Sequence, residues 1–195
     1  MWDELPFLER LQRNRSDLYD ASWTCPSCSL SAKENWNHLC SCPAYTKDFQ
    51  GLNIATHSNI IEAIKCHAPK AHLTPTWKRD LAALSCWELP STSPTPNFSF
   101  DLLLRGFIPL NLVNHIKTLR IASTTVTAII AESVTATQLI FRKTIWHTRC
   151  EQMVAFEKNM GIDACTKKSK RIYLSNRSHT QQSSGTRTAS PSLSR

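Results

Sequence analysis

The feature that most constrains this chain is the stretch WTCPSCSLSAKENWNHLCSCPAY, residues 23–45, which holds four of its eight cysteines and one histidine. Three chemistries can use such a cluster: a bound metal, a pair of disulfides, or thiols buried in a small core. Disulfides need an oxidising compartment. The opening residues MWDELPFLERLQRNR carry early acids and no continuous apolar run, so the expectation is a nuclear or cytoplasmic protein in reducing surroundings, not a secreted one. A segment this short buries too little surface to hold itself together, whereas structural zinc contributes on the order of 10 kcal/mol to folding. The spacing therefore favours a metal site.

The ligand geometry follows from the residues. Cys25 and Cys28 lie three positions apart on a turn stiffened by Pro26, so two thiolates can reach one ion. SAKE, residues 31–34, matches a capping box, which predicts a helix starting at Ser31 with Glu34 reaching back. That helix would carry His38 and Cys42 on one face. Cys25, Cys28, His38 and Cys42 then form a closed tetrahedral shell with zinc as the expected cofactor. A closed shell leaves no position for an activated water, so the site is expected to hold structure and not to perform chemistry. Cys40 lies about 200° around from His38 at the helical period and is expected to face a small core beside Trp36. Pro43 discourages helix at Cys42, so a shell using Cys40 in place of Cys42 remains open.

The segments LPFLERLQRNRSDLYDASWTCPSC, Glu34 and His38-Leu39-x-x-Cys42-Pro43 resemble the C-terminal zinc-binding segment of retrotransposon-type reverse transcriptase reading frames. FRKTIWHTRCEQMVAFEKNMGI, residues 141–162, is similar to the helical end of the same frames, with its Trp-x-x-Arg-Cys. The likeness covers residues 4–48 and 100–171. It implies Cys25, Cys28, His38 and Cys42 as zinc ligands, although the family often has an aromatic residue where Cys40 stands. It also implies a piece of a larger polymerase and ribonuclease H machine, with those domains as partners. The fifteen acidic residues here are scattered and no Tyr-x-Asp-Asp run is present. A two-metal active site needs clustered carboxylates, so the expectation is a non-catalytic protein.

Charge supplies the second expectation. The net charge is +8, and after Asp163 no acid follows while Lys167, Lys168, Lys170, Arg171, Arg177, Arg187 and Arg195 do. The body is nearly neutral and the tail is a basic arm. KKSKR, residues 167–171, suits a nuclear-import or phosphate-binding patch or a merely solvated tail. Arg13, Arg15 and Lys33 beside the metal segment, with Lys167, Lys168, Lys170 and Arg171, are the candidate phosphate contacts to RNA or DNA. Trp36 is the tryptophan left as a candidate for stacking on bases; the others are expected in the core.

The remaining organisation is expected to be mainly α-helical, in four parts: a zinc-binding segment with a leading helix over 1–50, short helices and a Pro/Ser linker over 51–99, a helical domain over 100–165, and a disordered basic tail over 166–195. Leu5, Leu8 and Leu11 predict the first helix. Ser58 predicts a start for the helix bearing Ile60, Ile61 and Ile64, and Thr74-Pro75 for one bearing Trp77, Leu81 and Leu84. Gly106 should stop a short helix, and Pro109 should open one running to about residue 160. Val126, Ile130, Val134, Phe141 and Ile145 mark its stripe, against the strand leaning of its Thr, Val and Ile content. That stripe offers an alternative role, docking on a protein partner with no nucleic-acid contact. IASTTVTAIIAESVTATQLIF, residues 121–141, reads as too polar to favour a membrane span. Cys66, His67, His72 and Cys86 match no ligand spacing, and His147 with Cys150 is a weak nucleophile pair.

Overall fold

In a computed structural model of the chain, residues 5–89 and 100–169 are described, and every regular element among them is helical. The order is α1 (Leu8–Asn14), α2 (Trp36–Ser41), α3 (Thr46–His67), α4 (Trp77–Ala82), α5 (Phe100–Leu104), α6 (Leu110–Thr118), α7 (Ser123–Phe141), a π-helical turn (Arg142–Trp146), α8 (His147–Asn159) and α9 (Ala164–Lys168). The expected Pro/Ser linker, 90–99, and all of the tail from 170 onward lie outside the described residues.

The frame is the pair α3 and α7. Phe49 meets Phe141 at a ring separation of 6.1 Å, and Thr56 meets Thr137 at 2.8 Å, so the helices run antiparallel. α3 begins at Thr46, twelve residues before Ser58. The apolar series Phe49, Leu52, Ile60 and Ile64 passes through Thr56, a polar residue that breaks the pattern in the sequence yet is fully buried. α4 begins at Trp77, later than Thr74-Pro75 suggests, with Thr76 bonding forward to Asp80 at 2.9 Å.

The strand leaning of α7 is neutralised locally. Thr127, Thr135 and Thr137 donate their hydroxyls to the carbonyls of Ser123, Ala131 and Ser133, four residues back, at 3.1, 2.8 and 2.7 Å. Threonine can bond back in this way and so tolerates a helix despite its stiff χ1. Val126, Ile130, Val134, Phe141 and Ile145 are all buried, as the stripe requires. The stripe named for docking packs into the core, and Val126, Ile130 and Val134 of it also line an open cleft beside α6. The run Ser123–Asn159 is helical throughout and, against the reading of 121–141 as too polar, is by length and composition apolar enough to cross a membrane, a weak sign that the core helix of a soluble protein also gives.

The single long helix expected from Pro109 is broken. α6 ends at Thr118, Arg120 takes a left-handed φ of 56°, and α7 starts at Ser123. By contrast Gly106 behaves as read. At φ 88° it closes α5 with bonds from its own amide to Leu103 and from Phe107 to Leu102, which satisfy orphan carbonyls.

One apolar cluster extends from Phe7 to Ile145 and takes in the cysteine segment, α3, α5, α6 and α7. A smaller one joins Leu8, Tyr19, Met153 and Ile162. The start of the tail is tied to it through Lys167, which ion-pairs with Glu157, the acceptor of the Tyr19 hydroxyl. Residues 166–168, expected to be disordered, finish α9, because Asp163 caps the amide of Thr166 at 2.6 Å.

Candidate metal centre

Residues 25–42 fold as a turn, an extended stretch and one short helix. The amide of Cys25 donates to the carbonyl of Ala32 at 2.9 Å, which folds the Cys25–Cys28 turn back on the chain. Asn35, not Ser31, caps the helix: its Oδ1 accepts from the amide of His38 at 2.9 Å. Cys42 stands at the C-cap in extended backbone, as Pro43 demands. His38 therefore projects from the helix and Cys42 from its exit.

The ligand atoms of Cys25, Cys28, His38 and Cys42 all lie within 4.8 Å of one another, and this is a group that could hold a metal ion. Cys28 Sγ is 3.4 Å from His38 Nε2. Cys25 and Cys42 are buried, while Cys28 and His38 are half-buried. Burial pushes the Cys25 thiol up, and pushes that of Cys42 up to about 12; the neighbouring thiols add to both shifts. A bound cation reverses this, because coordinating thiols are held as thiolates. Cys40 stands apart. It is 6% exposed, its thiol is raised well above the ordinary range by burial, and it contributes no ligand atom. The cluster thus takes in Cys42 and leaves Cys40 out.

Glu34 does something the capping box did not foresee. It is 1% exposed and faces Arg149, which is equally buried. Arg149 Nε donates to Glu34 Oε1 at 2.7 Å and Nη2 to Oε2 at 2.5 Å; the same Nη2 also reaches the carbonyl of Pro6 at 2.9 Å. The amide of Leu8, at the start of α1, donates to Glu34 Oε2 at 2.9 Å. Arg149 also makes cation–π contacts with Phe7 and Trp146, 5.6 and 5.0 Å from their ring centres. The carboxylate helps raise the neighbouring Cys25 thiol, and its partner guanidinium offsets that charge beside a cluster of sulfurs. No local sequence signal marks this pair, whose members stand 115 residues apart.

The candidate phosphate contacts scatter. Lys33 and Lys168 are exposed. Arg13 is 73% exposed and ion-pairs with Glu9 at 3.6 Å. Arg15 is committed: its guanidinium bonds Asp17 at 3.0 Å through both Nε and Nη2, and Nη1 holds the carbonyl of Lys167 at 2.9 Å. Lys167 ion-pairs with the buried Glu157, which also accepts from the hydroxyl of Tyr19 at 2.6 Å. Lys170 and Arg171 lie outside the described residues. Trp36 is not available for stacking on bases. It is buried against Phe7 and Phe141, with ring separations of 6.4 and 5.7 Å. Cys66, His67, His72 and Cys86 form no second ligand group among the described residues: Cys66 is exposed and Cys86 is buried. His147 turns to Glu151 at 3.6 Å.

No family model matches the chain, and no curated protein and no solved structure matches it either.

Proposed function

We propose that the chain is a zinc-stabilised, non-catalytic protein that associates with RNA or DNA, a C-terminal piece of the retrotransposon-type reverse transcriptase frames it resembles. The observation that carries the zinc reading is the 3.4 Å edge between Cys28 Sγ and His38 Nε2 inside a four-donor cluster. Zinc bonds of about 2.3 Å to sulfur and about 2.05 Å to nitrogen, at tetrahedral angles, give an S···N edge of about 3.6 Å. Three sulfurs and one imidazole are a soft set that suits zinc over calcium or magnesium. Every coordination position is filled by protein, so the ion braces the fold and has no open site for a substrate.

Two further observations support the wider reading. The two segments that carry the resemblance meet through Glu34 and Arg149, which stand inside them. The excess positive charge is gathered at one end of the chain, where it can attract phosphate over several ångströms with little sequence preference.

Elemental analysis of purified protein tests the metal: one zinc per chain is expected, lost in Cys42→Ala and kept in Cys40→Ala. A metal-free wild type, or retention in the first variant with loss in the second, sinks the assignment. The nucleic-acid part is tested by titrating a labelled single strand at rising salt. Affinity should fall steeply, and Lys168→Gln/Lys170→Gln/Arg171→Gln should flatten the slope by about two to three charges. A wild type that does not bind overturns it.

A further inference from the structure

The basic residues of the tail supply long-range attraction. A shaped surface exists elsewhere, in a cleft of about 580 Å³ between α1, the start of α2 and the end of α5. That volume falls in the range of small-ligand sites, about 300–1,000 Å³. Its walls carry three guanidinium groups, Arg10, Arg13 and Arg105, and three carboxamides, Asn14, Asn35 and Asn37. Among the described residues Glu9 is the one acid that lines it, and the buried rings of Phe7 and Trp36 line it too.

We infer that this cleft is the seat of a single-stranded nucleic acid, holding one backbone phosphate on the arginines and an unpaired base against the asparagines. This deepens the proposed function and rests on it. The chemistry selects the ligand. Guanidinium forks match phosphate oxygens. A carboxamide presents a donor and an acceptor side by side, which is what the edge of an unpaired base requires. An acidic peptide could use the same cations, and a competition against one is therefore part of the test. The ion pair between Arg13 and Glu9 is an exposed, loose one at 3.6 Å, of the kind worth least, so a phosphate can displace it.

The cleft is also wired to the metal centre. Asn35 holds the amide of His38 with its Oδ1, leaving its Nδ2 as the donor for a ligand. His38 presents Nε2 to the sulfurs from the same short helix. An empty metal site should therefore loosen one wall of the cleft.

The test is fluorescence anisotropy of the full chain with a labelled single-stranded RNA of about twelve nucleotides, a length that spans typical single-strand sites. Arg13→Glu and Asn37→Ala are the variants, because both side chains are exposed and neither holds another element in place. The double variant should retain its helical circular dichroism and its zinc. Its dissociation constant should rise by at least roughly tenfold, with Arg13→Glu accounting for the lost salt dependence. A double variant that binds like the wild type overturns the cleft while the tail's role stands. A wild type blind to the RNA overturns both. Capture of a poly-glutamate peptide in preference to the RNA also overturns the proposal.

Discussion

Glu34 and Arg149 show how much one residue pair can carry. Two charges, each 1% exposed, stand in a fork of bonds at 2.7 and 2.5 Å, and the leftover acceptor and donor capacity goes to the amide of Leu8 and the carbonyl of Pro6. A buried pair of this kind is costly to break, because the survivor is left charged and dry. Glu34→Ala or Arg149→Ala alone is expected to lose about 3–5 kcal/mol, while Glu34→Met/Arg149→Met recovers most of it. Urea unfolding followed by circular dichroism checks this. Two singles that cost no more than a surface change would show the pair to be open to water. Nothing local announces the pair. Glu34 follows a serine by three positions, which is a helix-start pattern, and the element that claims it lies 115 residues away. The four residues of the candidate metal cluster were legible for the opposite reason: they lie within eighteen residues, and ligand chemistry is restricted to few residue types.

At the scale of elements, stripes were readable and boundaries were not. Val126 to Ile145 could be followed because apolar residues return every four or seven positions. A four-residue step drifts by about 40° at the α-helical period. The wider π turn at Arg142–Trp146 offsets that drift, so Phe141, Ile145, Arg149 and Met153 stay on the buried side. The break after α6 was hidden because its left-handed residue is Arg120 and not glycine. An arginine there carries a cost of about 1–2 kcal/mol, so Arg120→Gly should raise stability by roughly 1 kcal/mol. A thermal melt that does not move, or falls, would show that the Arg120 side chain compensates. Between α3 and α7, Thr56 and Thr137 share three contacts, to each other and to the carbonyls of Leu52 and Ser133. Two hydroxyls hold two protons, so one contact is always without a donor. In Thr137→Val the proton of Thr56 falls back on Leu52, and the expected loss is under about 1 kcal/mol. A larger loss in the same urea titration would mean that the pair fixes the register of the helices.

For the whole molecule, the cysteine segment and the C-terminal helices form one mechanical unit. Two ties join them, the second steadied from within the segment by Ser27. Glu34 holds Arg149; Tyr45, at the exit from the cluster, shares a hydrogen bond of 2.7 Å with Ser27; and its hydroxyl reaches Gln152 at 2.6 Å. Tyr45 and Arg149 are both buried, so neither tie can be traded for water without opening the core. Metal withdrawn from Cys25, Cys28, His38 and Cys42 leaves three thiols in one place, and the turn that places Ser27 and the stretch that places Glu34 lose their anchor. The disturbance should then travel to α8. Hydrogen exchange before and after treatment with a zinc chelator is the direct measurement. Amides of 25–42 should exchange faster, and those of 147–157 should follow, while α6, which touches neither tie, should change least. Exchange that quickens only within 25–42 would make the cluster an independent knuckle carried on a bundle that needs no metal. Spread along α8 would make the ion a brace for the whole chain, and would explain why a segment with so little surface of its own stands in the middle of the core.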